Sequence, residues 1–488
     1  MLDVHISVTG VAILAIILLL VLIGLLFYLY PGSTRLTTIP GPDASDAKEG
    51  NLSDLERSGS LHEYLRELHC EFGDVVAFRL GPKLVVSTCD LKHFAPRSQV
   101  FEIPGFLFDD WKLLVGDQSF LFATGLNVFK RRDFLEYKVK SVAREEHAKT
   151  FRSLSKELVQ KWVKLPEGEH IPLTQHMRGL AMKGVCSMMF GDHFSSNEQI
   201  IKLHKTWELC WTEVLAISKK EPTKESKEIK KAVKELREIF QDAIDSQWKK
   251  QKRSSSLSII DGLLAASNDI LSEEQMLADV ITSFSIGIQI TTAVLSWMMY
   301  FIATNEKTQK KLQQNLSDVK SLDLMPDTIF DNRFMKAVLK ESVRCSEMFS
   351  MVARQQDMDT TIDEHVVEKN TPVIEAVSVA MKLEKLWTSP CLFDPSRYLQ
   401  KDTDLPDPLT FIPFAFAGSR RQPQESLVYH LAAITAASVF SDLSVSLAGS
   451  ESDFLEPSYE SFVAMPTKDE IWIAVSKRSQ NVESLGTG

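Results

Sequence analysis

Apolar residues recur with helical period along most of this chain. Leu61, Leu65 and Leu68 share one face of a predicted helix over residues 61–71, and the region from about 130 to 355 keeps the helical period almost throughout. Within that region, residues 219–252 carry Glu and Lys at i,i+4 spacing, which is typical of a solvent-facing helix. These patterns predict that helices make up most of the fold.

Short β-prone runs occur at only a few places. Val75 to Phe78 and Leu84 to Ser87 flank the turn Gly81-Pro82, which predicts a hairpin. Two further strands are expected near residues 373–374 and over residues 471–475. The predicted fold class is therefore mainly α with a small β-region, an α+β arrangement.

Two long segments are apolar on nearly every face. Gln275 to Ile302 is expected to be a helix buried through the middle of the domain. Val11 to Tyr30 contains no charge, and a helix of that length spans the hydrocarbon core of a bilayer. We predict a transmembrane signal anchor over residues 1–30. The alternative, a cleaved signal peptide, fits less well, because the segment before the apolar run lacks Lys and Arg and no small-residue cleavage site follows it.

The segment after the predicted anchor suggests how the rest of the chain is held. Arg35 is the basic residue nearest the membrane on this side, so the positive-inside rule favours a cytosolic main domain. Proline fixes φ and restrains the residue before it, so Pro31-Gly32 and the run from Ile39 to Pro42 predict a stiff hinge over residues 31–50. Residues 51–488 are then expected to form one domain.

Composition and charge exclude several classes of protein. Of the 488 residues, 44% are hydrophobic and 25% are charged, which is typical of a globular protein and not of a disordered or collagenous one. The net charge of −10 argues against a nucleic-acid partner, because general phosphate binding needs clustered Lys and Arg. The six cysteines, none spaced as Cys-x-x-Cys, indicate a reducing compartment, and none of them lies after Cys391.

Three arginine-containing motifs follow one another in the C-terminal half. Glu341 and Arg344 are three residues apart in a predicted helix, so both can point at one place. Arg397 ends the loop sequence Phe-Asp-Pro-Ser-Arg, and its guanidinium can form two hydrogen bonds with Glu341. The third motif, Phe414 to Pro423, precedes an apolar helical run over residues 427–440 and suits a loop that presses its backbone on a planar anionic ligand. Taken singly, the three motifs have plain alternatives: a surface ion pair, an ordinary turn and a helix entry loop.

In this order and spacing the motifs resemble the cytochrome P-450 superfamily, the haem-thiolate monooxygenases. The resemblance extends over nearly the whole chain. It is nearest to the orphan family 20 branch, judged from Gly59 to Glu63, Gln175 to Met177 and Ala474 to Arg478. The family implies a cytochrome P-450 fold behind the membrane anchor, haem iron as cofactor and an oxidoreductase activity. It also implies a lipophilic small-molecule substrate, a flavin reductase as electron donor, and the endoplasmic reticulum membrane as location.

The resemblance assigns roles to the motif residues. Glu341, Arg344 and Arg397 would form the structural triad that holds the haem-side loop. In the central helix Gly287 would be the small residue near bound oxygen, with Thr291 and Thr292 as the hydroxyls. The family's acid falls on Ile290, with Gln289 beside it, so proton delivery through a carboxylate is absent. The alternative for Thr291 is a bond back to its own helix carbonyl.

The haem loop departs from the family pattern Phe-x-x-Gly-x-Arg-x-Cys-x-Gly. When the loop is aligned on Gly418 and Arg420, Ala415 stands at the first position, Gln422 at the cysteine and Gln424 at the last glycine. An axial thiolate favours O–O cleavage, and a neutral carboxamide cannot supply that effect. An error in the translated sequence over residues 420–426 would also remove the cysteine.

Two further positions bear on cofactor binding. The cluster Lys130-Arg131-Arg132 stands near the place where the family holds the haem propionates, without the family's tryptophan. Arg131 and Arg132 are therefore candidate propionate ligands, with a solvated basic cluster as the alternative. His430 lies eight residues beyond Gln422 and is expected to be a core or helix-surface histidine.

Three functional hypotheses follow. The first is an active haem monooxygenase that acts on a lipophilic substrate reached from the membrane. The second is a degenerate member of the same fold, kept for binding a ligand or a partner. The third, a membrane-tethered helical scaffold unrelated to haem, requires the three motifs to be coincidental.

Overall fold

Helices dominate the computed structural model of this protein. It describes residues 10–11, 13, 15–22, 37–94, 104–123, 131, 144–218, 227–251, 258–261, 263–264, 271–317, 332–399, 425–448, 457–458, 463–466 and 470–478. The helices are α1 (Leu52–Ser58), α2 (Leu61–Phe72), α3 (Lys112–Val115), α4 (Arg144–Val163), α5 (Leu173–Phe190), α6 (Asn197–Ser218), α7 (Lys227–Gln251), α8 (Glu273–Thr304), α9 (Glu306–Ser317), α10 (Arg333–Cys345), α11 (Val377–Ala380) and α12 (Glu425–Asp442). Short 3-10 helices cover Leu91–His93, Gly105–Trp111 and Pro395–Tyr398.

The strands form small sheets around the helical body. They are β1 (Val75–Leu80), β2 (Lys83–Thr88), β3 (Ile171–Pro172), β4 (Val352–Arg354), β5 (Thr360–Ile362), β6 (His365–Val367), β7 (Val373–Glu375), β8 (Leu443–Leu447) and β9 (Trp472–Lys477). One sheet has the order β1-β2-β7-β4, a second has the order β3-β9-β8, and β5 pairs with β6 in a hairpin. In the first sheet β1 and β2 are antiparallel with Ala77 opposite Val86, whereas β2 and β7 run parallel.

The long helix α8 passes through the centre of the main hydrophobic core. A capping box starts it, in which the Ser272 side chain accepts from the N–H of Gln275 and the Gln275 side chain accepts from Ser272. Its apolar side chains pack against α5, α10 and α12. Within the described residues α8 is the helix long and apolar enough to cross a membrane, but 72% of its most apolar window is buried inside the protein. It is therefore a core helix, as its all-round apolar pattern predicts.

The described part of the predicted hinge packs against the first sheet. The N–H of Ala77 donates to the carbonyl of Pro40 at 2.7 Å, and Ile39 is buried. A Cβ on Gly41 would lie 1.9 Å from the carbonyl oxygen of Ala77, so only glycine allows this approach. The predicted anchor lies largely outside the described residues. Its described residues, 10–11, 13 and 15–22, are helical with exposed apolar side chains.

Most of the predicted elements are confirmed within a few residues. These are the helix over 61–71, the hairpin around Gly81-Pro82, the central apolar helix, the helix before Cys345, the helix over 427–440 and the strands near 373 and 471. The pattern did not predict the hairpin of β5 and β6 or the strands β3, β4 and β8. The solvated helix over 219–252 begins as α7 at Lys227, and Leu236 and Phe240 are fully buried on its other face. Residues 219–226 lie outside the described residues.

Candidate functional site

Two members of the predicted triad lie on α10. Glu341 and Arg344 are separated by three residues, so they share one face of the helix, and both side chains are fully buried. Arg344 donates from Nε to Oε2 of Glu341 and from Nη2 to Oε1, each at 2.9 Å. This is the two-pronged geometry that a guanidinium and a carboxylate prefer.

The third member, Arg397, approaches the same carboxylate from the 3-10 helix that follows a loop. Its Nε donates to Oε1 of Glu341 at 2.9 Å, and the backbone N–H of Asp394 donates to the same oxygen at 2.9 Å. The structure thus brings Glu341, Arg344 and Arg397 together. One buried carboxylate accepts from two guanidinium groups and one backbone amide, so the charges are fully hydrogen-bonded.

The other donors of Arg344 hold the chain that leads to this loop. Nη1 donates to the carbonyl of Pro390 at 2.8 Å, and Nη2 donates to that of Leu392 at 3.2 Å. The ring of Trp387 lies 5.0 Å from the guanidinium carbon. Burial alone would lower the pKa of Arg344, but the hydrogen bond to Glu341 and the neighbouring negative charges together outweigh burial and raise it. Arg344 is therefore a fixed cation that ties α10 to the loop.

The middle of α8 is buried almost throughout. Every residue from Met276 to Met299 is buried except Ile286, which is partly exposed. Residues four and seven apart share a helix face, so Asp279 and Ile290 lie on the same side as Ile286. Gln289 lies one turn beyond Ile286, is 9% exposed and makes no hydrogen bond within the described part of the chain.

The predicted oxygen-side residues lie in the same stretch of α8 but further around it. Gly287, Thr291 and Thr292 are all buried. Successive residues are about 100° apart, so Thr291 and Thr292 turn progressively away from Ile290. Within the described residues their hydroxyls have no hydrogen-bond partner, and neither has that of Ser296. Thr291 therefore does not bond back to its own helix.

Arg131 is also buried against α8. Its Nε donates to Oδ2 of Asp279 at 2.8 Å, and its Nη2 bonds Oδ1 of Asp279 and the carbonyl of Gln118. The N–H of Phe120 donates to Oδ1 of Asp279 at 2.9 Å. Burial raises the pKa of the Asp279 carboxyl to about 6, against the lowering effect of Arg131. The cation expected to bind a propionate is thus already matched by an internal carboxylate, and it is not part of a solvated cluster.

The six cysteines of the chain lie outside the predicted haem loop. Burial raises the pKa of the Cys89 and Cys345 thiols to about 12 and of the Cys210 thiol to about 11, and it raises that of Cys186 as well. The remaining two, Cys70 and Cys391, are exposed. A cysteine that binds iron does so as the thiolate. The four buried cysteines therefore favour the thiol, and the loop before α12 contains no cysteine.

The rest of the predicted haem site cannot be placed. Arg132, Gly418, Arg420 and Gln422 lie outside the described residues, as do Ala415 and Gln424. The helix after the loop, α12, is buried along most of its length. His430 on that helix is 3% exposed, and its Nδ1 lies 2.6 Å from the carbonyl of Ser426, so it is a core histidine.

Sequence reasoning missed two buried carboxylates that neutralise arginines. One is Asp279. The other is Glu375 on β7, which lies 3.0 Å from Nε of Arg354 on β4. The signal for Asp279 was present, because an aspartate in an otherwise apolar buried helix needs a partner. The spacing of residues did not identify Arg131 or Arg354 as those partners, because each lies far along the chain from its carboxylate.

The chain belongs to the cytochrome P450 family: the family profile matches residues 48–421. Members of this family are haem proteins, in general monooxygenases. Within the family it falls in the family 20 branch. It is 32% identical to cytochrome P450 20A1 of Bos taurus over 476 residues, which cover 96% of this chain and 99% of the relative. It is likewise 32% identical to cytochrome P450 20A1 of Homo sapiens over 477 residues, with the same coverage. A more distant relative is the steroid 17-alpha-hydroxylase/17,20 lyase of Felis catus, 22% identical over 418 residues, with coverage of 78% of this chain and 81% of that protein.

Proposed function

We propose that this chain is a membrane-anchored cytochrome P450-type haem protein that takes a lipophilic small molecule and does not activate oxygen through an iron thiolate. The observation that carries the proposal is the contrast between the intact Glu341–Arg344–Arg397 core and the glutamine at position 422. Burying three charged groups costs desolvation free energy, so an intact triad indicates that the fold is still in use. A haem, when bound, would supply an iron centre for ligand or redox chemistry.

The residues that would hold haem come from two regions. Gly418 and Arg420 would hold it from the loop before α12, with Gln422 facing the iron. Arg131 and Arg132 are the candidates for the propionates, and Arg131 would have to exchange Asp279 for a propionate to serve. Gly287, Thr291 and Thr292 would border the opposite side. If turnover occurs at all, a flavin reductase is the expected electron donor.

A second candidate function is favoured by one specific observation. Arg131 is neutralised by Asp279, and Ile290 stands where the family has an acid, so both sides of the haem site are altered. The chain would then be a degenerate member that binds a ligand or a partner without haem.

A carbon monoxide difference spectrum of the reduced full-length protein tests the proposal. Wild type is expected to bind haem without a thiolate-type Soret band, and Gln422→Cys is expected to show that band, at least in part. Gln424→Cys is the matched control, because it places a thiol two residues away and should not show the band. A thiolate band in wild type would overturn the proposal. Haem bound by neither wild type nor Gln422→Cys would establish the degenerate candidate instead.

The membrane part of the proposal has its own test. Val11 to Tyr30 would cross the endoplasmic reticulum membrane, with the main domain in the cytosol, and the exposed apolar side chains of residues 15–22 support this. Deletion of residues 1–30 should release the protein into the soluble fraction after carbonate washing. A truncated protein that stays entirely in the pellet would contradict a single anchor and indicate a second membrane contact.

A further inference from the structure

His176 lies on the first turn of α5, beside the end of α4. It belongs to Gln175 to Met177, one of the segments in which the chain resembles family 20, and it is partly exposed. The Nε1–H of Trp162 on α4 donates to Nδ1 of His176 at 2.6 Å, and the two rings stack with their centroids 6.0 Å apart. Because Trp162 is fully buried, this contact fixes the orientation of the imidazole ring.

The contact with Trp162 also fixes the tautomer of His176. An indole nitrogen can only donate, so Nδ1 of His176 must accept and carries no hydrogen. Burial and the neighbouring charge of Lys161 lower the pKa of His176 to about 4, so the ring is neutral near neutral pH. A neutral imidazole carries one hydrogen, which therefore lies on Nε2. His176 thus presents a fixed N–H donor at Nε2.

A second donor meets this N–H. Nζ of Lys161 on α4 lies 3.4 Å from Nε2 of His176, and an ammonium group is also a donor only. The acid one turn before Lys161 is Glu157, but its carboxylate lies 2.8 Å from Nζ of Lys183 on α5. Within the described residues Lys161 therefore has no carboxylate partner. Two donors converge at this place, and the chain supplies no acceptor for them there.

We propose that Lys161 and His176 form a binding site for a phosphate group where α4 meets α5. One phosphate oxygen placed about 2.9 Å from both nitrogens would accept from the ammonium and from the imidazole N–H. A soluble phosphate compound and a lipid headgroup both present such oxygens. The site is independent of haem and of residue 422, and it lies apart from the residues of the predicted haem site.

Binding of inorganic phosphate by the full-length protein in dodecyl maltoside micelles tests the site. The phosphorus NMR relaxation rate of phosphate is titrated with protein near neutral pH, at an ionic strength held constant with sodium chloride. Wild type should show saturable binding, and Lys161→Gln should weaken it about tenfold, the loss expected for one charge-assisted hydrogen bond. Lys156→Gln is the matched control, because Lys156 is exposed on another side of α4, and it should keep the wild-type affinity. Equal losses in the two variants, or no saturable binding by wild type, would overturn the proposal.

Trp162→Phe tests the tautomer and leaves both phosphate ligands in place. Without the indole N–H, Nδ1 of His176 is able to carry the hydrogen, so Nε2 accepts from Lys161 and the two donors no longer converge. Phosphate affinity should fall severalfold. Trp207→Phe, which removes another buried indole, is the control and should keep the wild-type affinity. Wild-type affinity in folded Trp162→Phe would overturn the proposal, and if that variant does not fold, the exposed Lys161→Gln decides alone.

Competition in the same micelles identifies the source of the phosphate group. Short-chain phosphatidate is added to the wild-type protein with bound phosphate, and phosphatidylcholine of the same chain length is the control lipid. Displacement by phosphatidate alone would support the site and assign it to a lipid headgroup. Retention of phosphate in the presence of both lipids would support the site and assign it to a soluble phosphate compound. These outcomes do not depend on the carbon monoxide spectrum, so this proposal and the proposed function fail separately.

Discussion

Two buried carboxylates of this protein, Glu341 and Asp279, each neutralise arginine, but they do so in different surroundings. Glu341 accepts from Arg344, Arg397 and the Asp394 amide, and the two arginines also bond the carbonyls of the adjoining loop. Asp279 accepts from one arginine and one amide, 12 to 17 residues before a stretch of the same helix in which the hydroxyls of Thr291, Thr292 and Ser296 have no partner within the described residues. The triad is hydrogen-bonded throughout, whereas α8 also carries buried hydroxyls that are not.

The difference distinguishes the groups that stabilise the fold by themselves from the groups that the fold leaves without a hydrogen bond. A buried charged network stabilises only when every member is hydrogen-bonded, and the triad meets that condition without any ligand. The buried hydroxyls of Thr291, Thr292 and Ser296 have no partner within the described residues, so they do not add to the stability in this way. The triad therefore stabilises the scaffold without a contribution from a ligand.

The largest effect is expected from removing Glu341. Glu341→Ala leaves Arg344 and part of Arg397 buried without a counter-ion, so the free energy of unfolding should fall by about 3–5 kcal/mol. Urea unfolding followed by tryptophan fluorescence measures the loss, with the exposed Glu384→Ala as control. A variant that unfolds at the wild-type urea concentration would show that the triad is not a stabilising core.

The second carboxylate, Asp279, should make the free energy of unfolding depend on pH. Burial raises the pKa of Asp279 from 3.8 to about 6, so the folded protein binds a proton more readily than the unfolded chain. Stability should therefore rise as pH falls through about 6, and the gain should be complete below the unfolded value, up to about 3 kcal/mol. Asp279→Asn should lack this rise when urea midpoints are compared over that range. Parallel curves for variant and wild type would assign the pH dependence to other groups.

The smallest expected effect compares two buried threonines. Thr435 donates to Leu431 and contacts Ser155, so Thr435→Val should cost about 1 kcal/mol. Thr292 has no partner, so Thr292→Val should leave the ligand-free protein equally stable or slightly more stable. Thermal melting of both variants measures the pair. A loss at Thr292 as large as that at Thr435 would mean that bound water already satisfies the Thr292 hydroxyl.

The sequence by itself determined the local elements and the residues of the triad. Apolar period identified α8, α10 and α12 because a buried helix carries its pattern over many turns. The triad was predictable because its features are local. Glu341 and Arg344 are three residues apart, and a proline loop precedes Arg397. The short hairpin of β5 and β6 was not, because strands of three residues carry too little pattern.

Only the tertiary structure decided which charges meet. Nothing local joins Arg131 to Asp279 or Arg354 to Glu375, since each pair is brought together by packing of distant segments. The same packing decided that Ile286 is partly exposed while its neighbours on α8 are buried, and that Thr292 and Ser296 lack partners within the described residues. A hydrogen bond depends on a few tenths of an ångström and on orientation, and residue type alone does not contain that information.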